Sequence, residues 1–240
     1  MATLQLAFSD LYGKVSEFLG TGSSPTGAEL TTAKDLVYRG YRRFLFPVIL
    51  ETNKIYVWSF LRKTGTLNTA IGTASYSLPT DLIGLISGFK FDNGENKDNP
   101  VKINMSQLRA LRSKSVANDV PEYYAINMGD YDVTVIAPYY AWFHSPPDAV
   151  YTYKYDYIFE PAKPTADAEL FVGGALASEV ILECALAEAE LQMDDALEIH
   201  ATKAKEMISS FIDYDSSYFP NSNESDSDNK LFVPSFRMDK

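Results

Sequence analysis

Apolar positions recur with a helical period near both ends of the chain and with a period of two in its middle. Leu4, Phe8, Leu11, Val15 and Phe18 follow one another at spacings of four, three, four and three, with Thr3 as the expected N-cap and Gly20 as the stop. The next stretch, Gly20 to Gly27, reads as an interhelix loop. Its glycines do not make a phosphate cradle, because no strand precedes them and no Lys-Ser or Lys-Thr follows. A second helix is expected from about Leu30 to Phe46, capped by Thr26 with Glu29 at capping-box spacing, or by Thr31. Leu30, Ala33, Val37, Gly40 and Phe44 mark its inner face, and Pro47 kinks or ends it. A third helix, Glu51 to Lys63, is expected on the spacing of Ile55, Trp58 and Leu61.

The pattern then switches to strands: Ala74 to Leu78, Leu85 to Phe91, Val101 to Ile103, Glu122 to Met128, Val133 to Ile136 and Val150 to Phe159. Asp92 to Pro100 is a polar, hairpin-like loop. Met105 to Lys114 is a short helix with Ser106 as its cap and Leu108 and Leu111 as its apolar face. In the last strand Tyr151, Tyr153, Tyr155 and Tyr157 share one face, while Thr152, Lys154, Asp156 and Ile158 share the other. Four rings in a row need cover, from the helices or from a neighbouring subunit, and the helices are the expected source.

Helix returns after Glu160 to Asp167. Leu176, Val180, Cys184, Ala187 and Leu191 form one stripe, which Met193, Leu197, Ala204, Ile208 and Phe211 continue, as two helices or one bent helix ending near Asp213. Acids crowd the remaining face at Glu179, Glu183, Glu188, Glu190, Asp194, Asp195 and Glu198. From Asp213 to Asn229 there are five acids, five serines and no base, a composition that favours disorder in isolation. The chain then ends in an apolar knot with Leu231, Phe232, Val233 and Phe236. An acidic arm with such a tip reads as a docking peptide that orders on a partner.

Composition adds three constraints. The 240 residues suffice for one large domain or two small ones. The single cysteine, Cys184, excludes an intramolecular disulfide framework and reads as a small buried hydrophobe. The net charge of −11 is unevenly placed: residues 1–120 hold 14 Lys and Arg against 10 Asp and Glu, and residues 121–240 hold 7 against 22. So acidic a second half is ill suited to gripping duplex DNA, though it suits a surface that DNA must pass without sticking. No membrane or export segment is visible; the best apolar run, Leu170 to Ala187, carries Glu179 and Glu183.

Catalytic chemistry finds no foothold. His144 and His200 have no Cys, Asp or Glu at metal-ligand spacing, and no nucleophile elbow, P-loop or dinucleotide fingerprint is present. The expectation is therefore no catalytic, cofactor-binding or metal residues. Charge patterning points to assembly instead. Arg39, Arg42 and Arg43 cluster on the second helix, and Arg109 and Arg112 on the short one; Glu179, Glu183 and Glu190 are their candidate partners in the next copy. Such a heterologous contact closes into a ring when the rotation allows.

The order of elements resembles the head-to-tail connector adaptors, or tail-tube ring proteins, of tailed bacteriophages, short-tailed type. The residues that carry it are W-S-F-L-R (Trp58 to Arg62), Y-S-L-P-T-D-L (Tyr76 to Leu82), L-R-A-L-R (Leu108 to Arg112), P-E-Y-Y-A-I (Pro121 to Ile126), V-T-V-I-A-P (Val133 to Pro138), P-P-D (Pro146 to Asp148) and Y-T-Y-K-Y-D-Y (Tyr151 to Tyr157). That resemblance implies a non-enzymatic structural virion protein, assembled in the host cytoplasm into a ring of commonly twelve copies beneath the portal. It would continue the DNA channel without binding DNA specifically, carry downstream tail or nozzle proteins, and reach the portal through its C-terminal extension.

The fold expected is α+β: a helical bundle formed by residues 1–65 and 166–213, an inserted small antiparallel β-rich platform at 66–165, and an extended docking arm at 214–240. The competing readings are a tail-associated cell-wall or polysaccharide hydrolase using paired carboxylates, and a monomeric carbohydrate-binding module using the tyrosine-rich sheet.

Overall fold

The computed structural model describes residues 4–49, 53–92, 97–114, 117–130, 139–194 and 199–219, and these divide into two compact units. One combines residues 4–60 with 161–219; the other is 61–160. The architecture is α+β, with the helices contributed by the two ends of the described chain and the strands mostly by its middle. The expected strand at Val133 to Ile136, the cap at Thr3 and the arm beyond Phe219 lie outside the described residues.

Helical unit. Its helices are α1 (Phe8–Phe18), α2 (Gly27–Leu45), α4 (Gly174–Asp194) and α5 (Ile199–Tyr218); α3 (Met105–Arg112) belongs to the other unit. Helix α1 starts four residues later than its spacing suggests. Ala7 occupies the N-cap, the Asp10 carboxylate accepts its N–H at 2.9 Å, and Leu4 is 90% exposed. Thr26 caps α2 by position, although its side chain makes no capping bond. Helix α4 is the centre of the unit. From Val180 to Ala187 every residue is buried, and Ala189 and Glu190 are buried as well, so α4 is covered on all sides. Its small residues let α2 approach closely: a Cβ added at Gly40 would lie 2.4 Å from the backbone nitrogen of Ala185. Cys184 lies in this contact, fully buried, and burial pushes its thiol up to about 12.

The helix expected over Glu51 to Lys63 does not form. Instead β1 (Val48–Ile49) and β2 (Lys54–Ile55) make a small hairpin, followed by a 3-10 turn at Ser59–Leu61. Asn53 takes a left-handed φ of 52°, which a helix cannot accommodate. Burial alternates instead: Tyr56 and Trp58 point inward while Ile55 is 42% exposed. The Trp58 indole donates to the Phe44 carbonyl at 2.9 Å, and its ring stacks on Phe44 at 5.1 Å and Phe60 at 5.6 Å. Burial of the indole beside its hydrogen-bond partner outweighs the weak helical signal.

Strand unit. Strands β3 (Arg62–Asn68) and β5 (Leu82–Leu85) flank β10 (Thr152–Phe159), with β6 (Lys90–Phe91) also pairing β10. A second sheet runs β4 (Ser75–Ser77), β9 (Tyr139–Phe143), β8 (Tyr123–Met128) and β7 (Val101–Lys102). Pairing is antiparallel except for β7 with β8, which is parallel. Strand β3 was not anticipated, since its face pattern is broken by Gly65. A Cβ there would meet the Tyr155 ring at 2.4 Å, so the glycine makes room for the aromatic lying across it. Strand β9 was also unanticipated, because Y-Y-A-W-F is apolar throughout and shows no period. Helix α3 is capped by Asn104, not Ser106: the Asn104 side chain accepts from the Gln107 N–H at 2.8 Å and Gln107 reciprocates.

The tyrosine row is covered, but neither helices nor a second subunit provide the cover. Tyr151, Tyr153, Tyr155 and Tyr157 pack with Leu67, Leu78, Leu82, Phe89, Tyr124, Ala141 and Phe143 of the same unit. The Phe143 ring stacks on Tyr153 at 5.6 Å, and Phe89 meets Tyr124 at 4.7 Å and Tyr155 at 5.1 Å. At about 0.5–1.5 kcal/mol per ring pair beyond area burial, these contacts join the two sheets face to face. Burial pushes the Tyr124 and Tyr155 phenols up to about 12.

Gly40→Ala is expected to lower stability by about 1–2 kcal/mol in urea titration. The overlap is with backbone that cannot rotate away, an overpacking cost of about 1–3 kcal/mol that exceeds the helix-propensity gain of about 1. Gly84→Ala is the control: nothing lies within 4 Å of the added Cβ, and the substitution is expected to be neutral within about 0.5 kcal/mol.

Candidate functional site

Helix α5 packs on α4 through a polar cluster that the sequence does not advertise. Glu183, on α4 and only 6% exposed, accepts the Lys203 ammonium at 2.5 Å on Oε1 and the His200 Nδ1–H at 2.8 Å on Oε2. Two turns further along α4, Glu190 accepts the His200 backbone N–H at 3.0 and 3.1 Å and the Ala201 N–H at 3.3 Å. Those N–H groups are unpaired donors of the first turn of α5, so Glu190 caps α5 from another helix, at the positive end of its dipole. The acids of that face are therefore not alike: Glu183 and Glu190 are buried and engaged within the chain, while Glu179 is exposed.

Burial alone would raise the Glu183 pKa. The hydrogen bonds from His200 and Lys203, with their charges, outweigh it and hold the carboxyl below its ordinary 4.5. His200 is thus neither a ligand nor a free surface residue; its ring also meets Phe18 edge-on at 5.2 Å.

A second buried acid fixes the other end of α5. Asp215 is 4% exposed and accepts the Tyr56 hydroxyl at 2.9 Å, the Ser59 N–H at 2.9 Å and the Ser59 hydroxyl. Helix α5 therefore does not stop near Asp213; it runs on to Tyr218, and residues 213–218 belong to it. Sequence reading missed Asp215 because it sits in a run of Asp and Ser that looks like a solvated tail.

The arginines divide. Arg39 and Arg42 on α2 are exposed, with no ion-pair partner among the described residues, whereas Arg43 lies 3.6 Å from Glu188 on α4. In the strand unit, Arg109 is exposed and Arg112 lies over the Trp142 ring at 5.4 Å. Arg62 and Lys63 lie on β3, where Lys63 pairs with Asp81 at 3.0 Å. Apolar side chains surface in two places on the helical unit. Leu191, Met193 and Ile199 are exposed where α4 gives way to α5, and Tyr214, Tyr218 and Phe219 are exposed at the end of α5.

Among the described residues no group of three or more His, Cys, Asp or Glu could hold a metal ion, and no helix is long and apolar enough to cross a membrane. What these two bodies present outward is unpaired arginines and scattered apolar side chains. The chain belongs to the SU10 adaptor protein family, whose model matches residues 6–224. No curated protein matches it. It is thus a phage adaptor and a component of the virion, and membership implies contacts with portal and tail proteins.

Glu183→Gln is expected to destabilise the protein above pH 4.5, and equilibrium unfolding across pH checks it. A carboxyl whose folded pKa is depressed contributes stability above its unfolded value and loses it as pH falls through the folded one. The gap between wild type and variant is therefore full at neutral pH and narrows below 4.5; a gap that is constant with pH contradicts the cluster's ionic character.

Proposed function

We propose that this adaptor forms a homo-oligomeric ring, of the order of twelve copies, on the portal of a short-tailed phage. The ring continues the DNA channel and presents a platform for downstream tail or nozzle proteins. The observation that carries the reading is the family match, which spans residues of both units. Charge supports it: a chain whose second half carries 22 acids against 7 bases offers DNA a surface that repels phosphate and lets it slide.

Neighbouring copies meet head to tail, a basic surface of one against an acidic surface of the next. Arg39 and Arg42 of the helical unit and Arg109 of the strand unit are exposed bases, and Glu179 is an exposed acid, each suited to such a contact. Glu183 and Glu190 contribute from within, by holding α5 on α4. The arm, with Leu231, Phe232, Val233 and Phe236, attaches the ring to the portal.

Negative-stain imaging of the purified protein mixed with portal tests the ring, the expected result being a closed ring of defined symmetry. The arm is tested by truncation, and the cut has to respect α5. Removing residues 220–240 is expected to abolish co-migration with portal while leaving helical circular dichroism intact; undiminished co-migration sinks the docking role. Cutting at 214 also removes Asp215, and loses stability by about 3 kcal/mol as Tyr56 and Ser59 are left without their charged acceptor.

A further inference from the structure

In the first sheet of the strand unit, β10 is flanked by β3 on one side and by β5 and β6 on the other, so the far side of β3 is an edge. The pairing decides which β3 groups face outward there. The Thr152 carbonyl accepts from Asp92, and the Asp156 carbonyl from Ile86 and Ser87, all on the side away from β3. Backbone groups alternate in direction along a strand, so Tyr153, Tyr155 and Tyr157 exchange bonds with their β3 partners Leu67, Gly65 and Lys63. Thr64, Thr66 and Asn68 therefore turn both N–H and C=O away from β10, and Arg62, where the 3-10 turn ends, turns out its C=O. Among the described residues none bonds these outward groups, and the side chains of Thr64, Thr66 and Asn68 are exposed. A bare edge of seven residues is a template for another strand.

We infer that this edge takes a strand, and that the strand is β3 of a second copy, laid antiparallel about a two-fold axis at Gly65. Three features select this occupant. The first is register: outward-facing residues must meet outward-facing ones, and about Gly65 they do. Thr64 meets Thr66 of the second copy and Asn68 meets its Arg62, giving about six backbone hydrogen bonds. Other in-phase registers leave part of the seven-residue strand unpaired. The second is charge. On the outer face Thr64 donates to Asp156 at 2.7 Å, and Lys154 donates to Thr66 at 2.9 Å while lying 3.5 Å from Asp92. Pairing Thr64 with Thr66 sets the Asp156 row of one copy in line with the Lys154 row of the other. No like charges meet: Arg62 faces Asn68, and Lys63, bonded to Asp81 in its own copy, faces Leu67. The third is room. Gly65 has no side chain and the Tyr155 ring lies across it, so two glycines meet at the axis and the two rings close over them.

Pairing in this way joins two four-stranded sheets into one and closes an edge that would otherwise recruit foreign strands. It goes beyond the ring reading. The contact is two-fold, whereas the ring contact is head to tail, and it involves none of Arg39, Arg42, Arg109 or Glu179.

The test uses the full-length protein without portal. Sedimentation velocity from low to high micromolar concentration is expected to show a monomer passing into a dimer. Thr66→Pro removes an N–H that the β3–β10 ladder does not use, so circular dichroism is expected to stay unchanged. The dimer is expected to weaken about tenfold or more, since each copy loses one bond to the other. Backbone amide exchange on the unmodified protein keeps the test independent of any variant. The amides of Thr64, Thr66 and Asn68 are expected to slow as concentration rises, while those of Lys63, Gly65 and Leu67, bonded to β10, are protected throughout. A monomer at every concentration, a dimer untouched by Thr66→Pro, or exchange at Thr64 and Thr66 that ignores concentration overturns the inference. The dimer is read without portal and the ring with it, so either reading can fail alone.

Discussion

Everything in the helical unit follows from the need to bury α4 on all sides. A helix buried at every position through its middle turns cannot rest on one partner; it must be enclosed. Helix α4 is enclosed by α2, whose Gly40 allows backbone contact at Ala185, by α1, and by α5. Because α1 and α2 come from the beginning of the chain and α4 and α5 from beyond residue 161, the chain must return to its starting point. The strands between are thereby an insertion, free to form a body of their own only if they bury their own apolar face.

They do so with aromatic rings. The four tyrosines of β10 meet Phe89, Tyr124 and Phe143 from across the sandwich, and the edge of the β10 sheet is brought close by Gly65, which yields its side-chain space to Tyr155. The unit is thus closed by contacts within residues 61–160, and the tyrosine row is interior rather than a docking face. That removes the physical basis for reading the row as a carbohydrate platform, since rings buried between two sheets have no face left for a sugar.

How much of this was legible depended on whether a residue's role is set locally or across the chain. The stripes of α2 and α4, the alternation in β10 and the cap-like spacing before α2 are local, and the structure places helices and strand there. Trp58 and Ile55 misled because an i, i+3 recurrence in three residues cannot be told from chance, and Asn53 in a left-handed turn settles it. Strand β9 was hidden by being apolar throughout. Of the residues singled out for assembly, Arg39, Arg42, Arg109 and Glu179 are exposed as a surface role needs. Glu183 and Glu190 looked identical to Glu179 in sequence, and only the arrival of Lys203 and the unpaired N–H groups of α5 separates them. No periodicity encodes a contact between a carboxylate and a helix terminus ten residues away.

Those long-range carboxylates explain how the two ends of α5 are held. Helix α5 packs on α4, buries Ala201 and Ala204, and sends the Phe211 ring into the cluster of Phe44, Trp58 and Phe60, 5.0 Å from Trp58. Charged hydrogen bonds hold its two ends as well. Glu183 and Glu190 take the first turn, and Asp215 takes the last. A bond from a charged acceptor to a buried donor contributes roughly 1.5–3 kcal/mol, comparable with a buried leucine, and it fixes direction where a hydrophobic contact would not.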